Sequence, residues 1–159
     1  MTSSDPLHQL EHDHTDITRL VVSLRHLLDE TTRTNGAADH RELRDCLTQL
    51  REQLLLHFAR EEEGLFPFIR ARAPQMEARV TALESAHDTV CGGVVRMASL
   101  AAGQGPIPPD RLDHLRTIFT RFEPAYATHS QSEQALLREL GDRLDPTHRA
   151  ELADLLRGL

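Results

Sequence analysis

The stretch Leu54-Leu55-Leu56-His57-Phe58-Ala59-Arg60-Glu61-Glu62-Glu63-Gly64-Leu65 decides the fold. Leu54, His57, Glu61 and Leu65 step by three and four residues, the spacing of one face of an α-helix. The same stripe runs upstream through Leu50, Leu47 and Leu43 and downstream to Phe68. Glutamate is almost never fully buried unless it is paired or bound to a metal. His57 and Glu61 stand one turn apart, so both project from one face, about 6 Å apart along the axis.

The rest of the chain repeats this pattern. A first stripe reads Leu7, Leu10, His14, Ile17, Val21, Leu24, Leu28, and its helix is predicted to stop near Thr34-Asn35-Gly36. The second helix follows Asp39, and Pro67 is expected to bend or loosen its last turns before Pro74 closes it. A third stripe reads Met76, Val80, Leu83, His87, Val90, Val94, Met97, Ala101 and ends at the Gly103–Pro109 loop. The fourth starts at Pro109-Asp110 and reads Leu112, Leu115, Phe119, Phe122, Tyr126, His129, Glu133, Leu136, Leu140, with Pro124 as an expected kink. Asp145-Pro146 predicts the cap and first residue of a short fifth helix to about Arg157, with Leu152, Leu155 and Leu156 packing down. No alternating strand pattern stands out. The fold class is all-α: an up-down-up-down antiparallel four-helix bundle with a short C-terminal fifth helix. One domain is expected over residues 1–159, with its core at about 7–142 and the last helix at about 145–157.

Each long stripe is interrupted by one histidine: His14, His57, His87 and His129. Glutamate follows one turn later at Glu61 and Glu133. The spacings match: 43 and 42 residues within each half, 73 between His14 and His87, and 72 between Glu61 and Glu133. The chain is two copies of one unit, which antiparallel packing brings to one layer around a two-fold axis. About two positions in seven lie on such a stripe, so ten histidines would place about three there by chance. The count alone is weak; the common layer, the two glutamates and the repeat carry the inference. Four imidazoles and two carboxylates suit two borderline metal ions, with iron, manganese or zinc favoured over calcium or magnesium. Di-iron carboxylate bundles use inward Glu and His on facing helices in this way.

The other histidines read differently. His26 and Glu30 form a surface pair. His40, His114 and His148 are off-stripe and expected in solvent, and His8 and His12 lie near the terminus. Glu11 and Glu84 each precede a candidate ligand by three residues. They are either acceptors for the ring N–H groups of His14 and His87 or a solvated flank.

Composition narrows the function classes. All 18 basic residues are Arg, against 25 acidic ones, for a net charge of -7. Without lysine this chain offers no Schiff-base, pyridoxal-phosphate or Walker-loop chemistry. The acidic balance argues against nucleic acid and anionic membrane surfaces. No apolar run is long enough to span a bilayer. Met1-Thr2-Ser3-Ser4-Asp5-Pro6 does not read as a secretory signal, and two cysteines do not make a disulfide scaffold, so a cytoplasmic location is expected.

His14, His57-Phe-Ala-Arg-Glu61, His87 and His129-Ser-Gln-Ser-Glu133 together resemble the hemerythrin-like family of bacterial non-heme di-iron proteins. The strings Asp13-His14-Thr15-Asp16-Ile17 and Glu61-Glu62-Glu63-Gly64-Leu65-Phe66-Pro67 share the likeness. In motif the chain is closest to an actinobacterial H-HxxxE-H-HxxxE subgroup associated with peroxide and nitric oxide chemistry. The resemblance implies two iron ions with an oxo or hydroxo bridge. Glu61 and Glu133 would be bridging carboxylates; His14, His57, His87 and His129 would be terminal ligands. Oxygen-carrying hemerythrins have a fifth histidine one turn on in the third helix, where this chain has Cys91. Cys91 and Tyr126 are the candidates for a role beyond the six, as ligands or as a hydrogen bond to a bound molecule; packing is the alternative for each. The expected partners are hydrogen peroxide, oxygen and nitric oxide. The leading activity is catalase-like peroxide decomposition. The alternative is a binding protein for oxygen storage, oxygen or iron sensing, or iron–sulfur repair.

Overall fold

The computed structural model describes residues 5–33 and 39–159. The expected Thr34-Asn35-Gly36 stop and the first four residues lie outside that range. Among the described residues there are helices and no strand. They are α1 (Pro6–Arg33), α2 (Arg41–Arg60), a π-helical turn (Glu61–Leu65), α3 (Phe66–Arg72), a short 3-10 turn (Pro74–Met76), α4 (Glu77–Ala101), α5 (Pro109–Arg143) and α6 (Pro146–Arg157). Their starts follow local chemistry. Asp5 Oδ1 accepts from Leu7 N–H at 3.1 Å, Asp39 Oδ1 from Arg41 N–H at 3.1 Å, and Asp145 Oδ1 from His148 N–H at 2.8 Å. Each removes an orphan donor of a first turn.

Every residue of the four stripes is buried. α1 packs on α2 and α5, α2 on α4, and α4 on α5, so the four long elements enclose one interior. Cross-helix contacts fix the register. Cys46 Sγ donates to the Leu20 carbonyl at 3.5 Å, Arg44 Nε to the Ala101 carbonyl at 2.6 Å, and Thr18 Oγ1 lies 3.0 Å from the Tyr126 hydroxyl. The interior holds two apolar clusters. One contains Ile17 to Leu28, Leu43 to Phe58, Val90 to Ala101 and Leu112 to Tyr126. The other contains Leu7, Leu10, Leu65 to Leu83, Leu136 to Leu140 and Leu152. Each fully buried leucine contributes about 1.5–3 kcal/mol. The histidine and glutamate interruptions fall between the two clusters.

The loosening expected at Pro67 takes the form of the π-turn. The Phe66 N–H reaches back five residues to the Glu61 carbonyl. Pro67 has no N–H for the Glu63 carbonyl, and its ring crowds that oxygen in a regular helix. Gly64 in this turn lets α6 approach: a Cβ there would lie 2.8 Å from Leu156 Cδ2. α5 runs through Pro124 without a break.

Two expectations are corrected. Leu152 is buried and Leu156 packs beside it, but Leu155 is 44% exposed, because the α6 face toward the body is set by residues one turn apart. His40 is buried rather than solvated. It sits in the left-handed region at φ 60° just before α2, and its Nδ1 accepts from the Ile107 N–H at 2.8 Å. The loop before α5 needs an acceptor there, and His40 supplies it.

Candidate metal centre

α1 carries His14, α2 carries His57, the π-turn opens on Glu61, α4 carries His87, and α5 carries His129 and Glu133. All six are buried, and both glutamates have 0% exposure. His14 Nε2 lies 2.9 Å from Glu133 Oε2, and His57 Nε2 lies 2.9 Å from Glu61 Oε1. His129 Nε2 lies 3.2 Å from Glu133 Oε2, and His87 Nε2 lies 3.7 Å from Glu61 Oε1. These pairings keep the expected two-fold relation: each glutamate meets the histidine one turn before it and one from the other half. One contact breaks the symmetry, His57 Nε2 to Glu133 Oε1 at 3.4 Å.

None of the four carboxylate oxygens, nor the Nε2 atoms of His57, His87 and His129, makes a contact of hydrogen-bond geometry; they meet one another at ion-pair distance. Ligand atoms of His14, His57, Glu61 and Glu133 lie within 4.8 Å of one another, and so do those of Glu61, His87 and His129. Imidazole nitrogen and carboxylate oxygen are the donors that borderline divalent metals take. The donor set fits a metal cation.

The electrostatics show the strain that a cation would relieve. Burial and the facing Glu133 carboxylate push the Glu61 pKa well up. Burial also opposes the Glu133 charge, but contacts with Glu61, His129, His14 and His57 hold its pKa well down. Burial alone would lower His57; Asp13, Glu133 and Glu61 override it and hold the pKa up at about 12. His87 is pushed down by burial, with Glu62 opposing.

Of the two alternatives for Glu11 and Glu84, the flank is the one observed, and other carboxylates face the imidazoles. His57 Nδ1 faces Asp13 Oδ2 at 3.4 Å, and Arg60 donates to the same oxygen at 3.2 Å. His87 Nδ1 faces Glu62 Oε1 at 3.0 Å. Glu11 is instead on the exposed flank beside His8, and Glu84 is held by Arg70. Helix side chains lean toward the N-terminus, so a carboxylate three residues upstream leans away from the layer. The carboxylates that serve sit beside a stripe position, at Asp13 before His14 and Glu62 after Glu61. Phe58 stacks on His87 at 3.8 Å between ring centres, and Phe66 stacks on it at 5.5 Å. These two rings wall that side with apolar surface.

Tyr126 is buried, bonded to Thr18, with its phenol pushed up by burial. Cys91 is half-buried against the larger apolar cluster, and burial together with Glu62 and Asp88 pushes its thiol up to about 11. The Cys91 sulfur does not join the converging groups among the described residues. His26 and His114 are exposed, as expected of off-stripe positions. No helix among the described residues is long and apolar enough to cross a membrane.

Comparison with known families gives a match to the hemerythrin HHE cation-binding domain over residues 5–140. No curated protein and no solved structure matches. The matched span contains all six converging residues and nearly the whole of the four long helical elements. The chain therefore belongs to the hemerythrin HHE cation-binding domain family.

Proposed function

We propose that this chain is a single-domain di-iron protein that reacts with hydrogen peroxide or oxygen. His14, His57, Glu61, His87, His129 and Glu133 would hold the metals, with Glu61 and Glu133 as the carboxylates available to both. The observation that carries the reading is the convergence of four unbonded carboxylate oxygens and three unbonded imidazole nitrogens in one buried layer. Iron in such a site supplies electron exchange with peroxide or oxygen, with nitric oxide as a further ligand.

The chain's own residues set the conditions. Asp13 and Glu62 orient His57 and His87 through their Nδ1 atoms, leaving Nε2 directed inward. Phe58 and Phe66 keep water from the His87 ring. The Tyr126 phenol stays protonated one turn from His129, within reach of Thr18. The up-down-up-down antiparallel order is supported by contacts whose residue numbers run in opposite senses on neighbouring helices, such as Thr18 with Tyr126 and Arg25 with Glu123. The single interior spanned by all four long elements supports one domain.

The test is metal analysis followed by peroxide addition. The purified protein holds close to two irons per chain and evolves oxygen from hydrogen peroxide in proportion to its iron. A stable, reversible oxygen adduct with no peroxide turnover moves the assignment to oxygen carriage. One metal per chain, or only zinc from iron-replete cells, overturns the di-iron reading.

A further inference from the structure

A groove of about 750 Å³ runs along the outside of α4 and α5, and His129 forms part of its lining. Beside His129 its walls are Ala86, Val90 and Ala125, with Thr128 and Ser132 also lining it. Ala86 and Ala125 are half-buried, so their side chains, not solvent, set its width near the layer. Arg79 lines it too, and that cation is paired with Glu139. The surface offered is small, apolar and nearly uncharged.

On this side Glu61, His87 and His129 converge, and His129 Nε2 also lies 3.2 Å from Glu133 Oε2. One turn after His87 stands Cys91, whose sulfur is not among those atoms. His129 is buried, and both its ring nitrogens lack hydrogen-bond partners. The groove, lined by a residue of the layer, therefore opens beside the His87/His129 half, where the residue one turn after His87 adds no donor.

We propose that small neutral or singly charged molecules, of the size of peroxide or azide, reach the centre through the groove between α4 and α5. They bind on its His87/His129 side, and Ala86 and Ala125 keep the way open. The binding side rests on the di-iron reading; the route does not. Ala86→Leu and Ala125→Leu narrow the groove from opposite walls, whereas Ala127→Leu changes an exposed position of α5 outside it.

In iron-loaded protein, stopped-flow absorbance after mixing with azide reads the route. The double variant binds azide about tenfold more slowly, and Ala127→Leu stays near the parent rate. Unchanged kinetics in a double variant with full iron content overturn the route. If the double variant does not fold, each single substitution is read in the same way. In metal-free protein, diethyl pyrocarbonate labels His129 through the same groove. The double variant slows that labelling about tenfold while labelling of His14 is unchanged, and equal labelling rates overturn the route without reference to iron. Cys91→His reads the side: an added imidazole after His87 weakens azide binding about tenfold, or about 1.4 kcal/mol. Unaltered azide affinity in an iron-replete Cys91→His protein overturns the side assignment. Absence of iron from the parent protein, with groove-dependent labelling intact, defeats the di-iron reading and leaves the route standing.

Discussion

Asp13 and His57 meet across the α1–α2 interface, Oδ2 to Nδ1 at 3.4 Å, with Arg60 holding the same oxygen at 3.2 Å. Burial disfavours the Asp13 charge, yet His57 and Arg60 hold its pKa below the usual carboxylate range. A carboxylate behind a ligand imidazole fixes its tautomer and orientation. Asp13→Ala is expected to weaken metal binding about 10–100-fold. Competition with a chelator checks it; an unchanged affinity means that Asp13 does not position His57.

Glu61→Ala and Glu133→Ala are each expected to lose most metal, since each removes a carboxylate shared by the layer. His26→Ala and His114→Ala keep their metal, because both side chains are exposed. Metal analysis of the four variants side by side is the check, and equal losses defeat the stripe argument. Without metal the sign of stability reverses. Removing one of two buried carboxylates by Glu61→Gln stabilises the metal-free chain by on the order of 1 kcal/mol in denaturant unfolding.

His40 gives a pH dependence away from the centre. Burial lowers its pKa, Arg44 and Arg116 lower it further, and Asp39 opposes them. The unfolded chain therefore takes up a proton below about pH 6.5 that folded His40 refuses. The stability it contributes is present above that pH and lost as pH falls toward the folded value. His40→Asn, which tolerates the left-handed backbone, is expected to flatten this part of the profile relative to the parent. Identical slopes for the two proteins between pH 7 and the acid limb would refute it.

Gly64 and Leu156 form a close contact that a methyl group disturbs. Gly64→Ala places a Cβ 2.8 Å from Leu156 Cδ2, so the α6 side chain must shift. The displaced atoms are ends of flexible side chains, so the shift offsets the helix propensity gained and we expect a net change within about 1 kcal/mol of zero. In a double-mutant cycle Gly64→Ala is more stabilising in the Leu156→Ala background, and additive effects exclude the contact.

The helical class and the six-residue layer were legible because a step of three and four residues defines one face, and a charged residue on that face has no other place to go. His14, His57, Glu61, His87, His129 and Glu133 follow from that logic alone. His40 was not legible. Its burial comes from an unsatisfied N–H at Ile107, 67 residues away, which no local pattern records. Asp13 and Glu62 were visible as neighbours of stripe residues, but their partners lie on other helices, and helix rotation decides which carboxylate arrives. Glu84 had an equal claim by spacing and was taken by Arg70. Pro67 announced a distortion, but not that it would be a widened turn opening on Glu61.

The histidine and glutamate layer divides the interior into two apolar clusters that share the same long helices. Without a cation, the boundary between them is a belt of polar atoms with few hydrogen bonds to hold it. Each end of the molecule can then open on its own, as a separate cooperative unit. A bound metal is the rivet that makes them one. Amide exchange at α6 and at the loop before α5, on opposite sides of the layer, thereby reports occupancy of the centre between them.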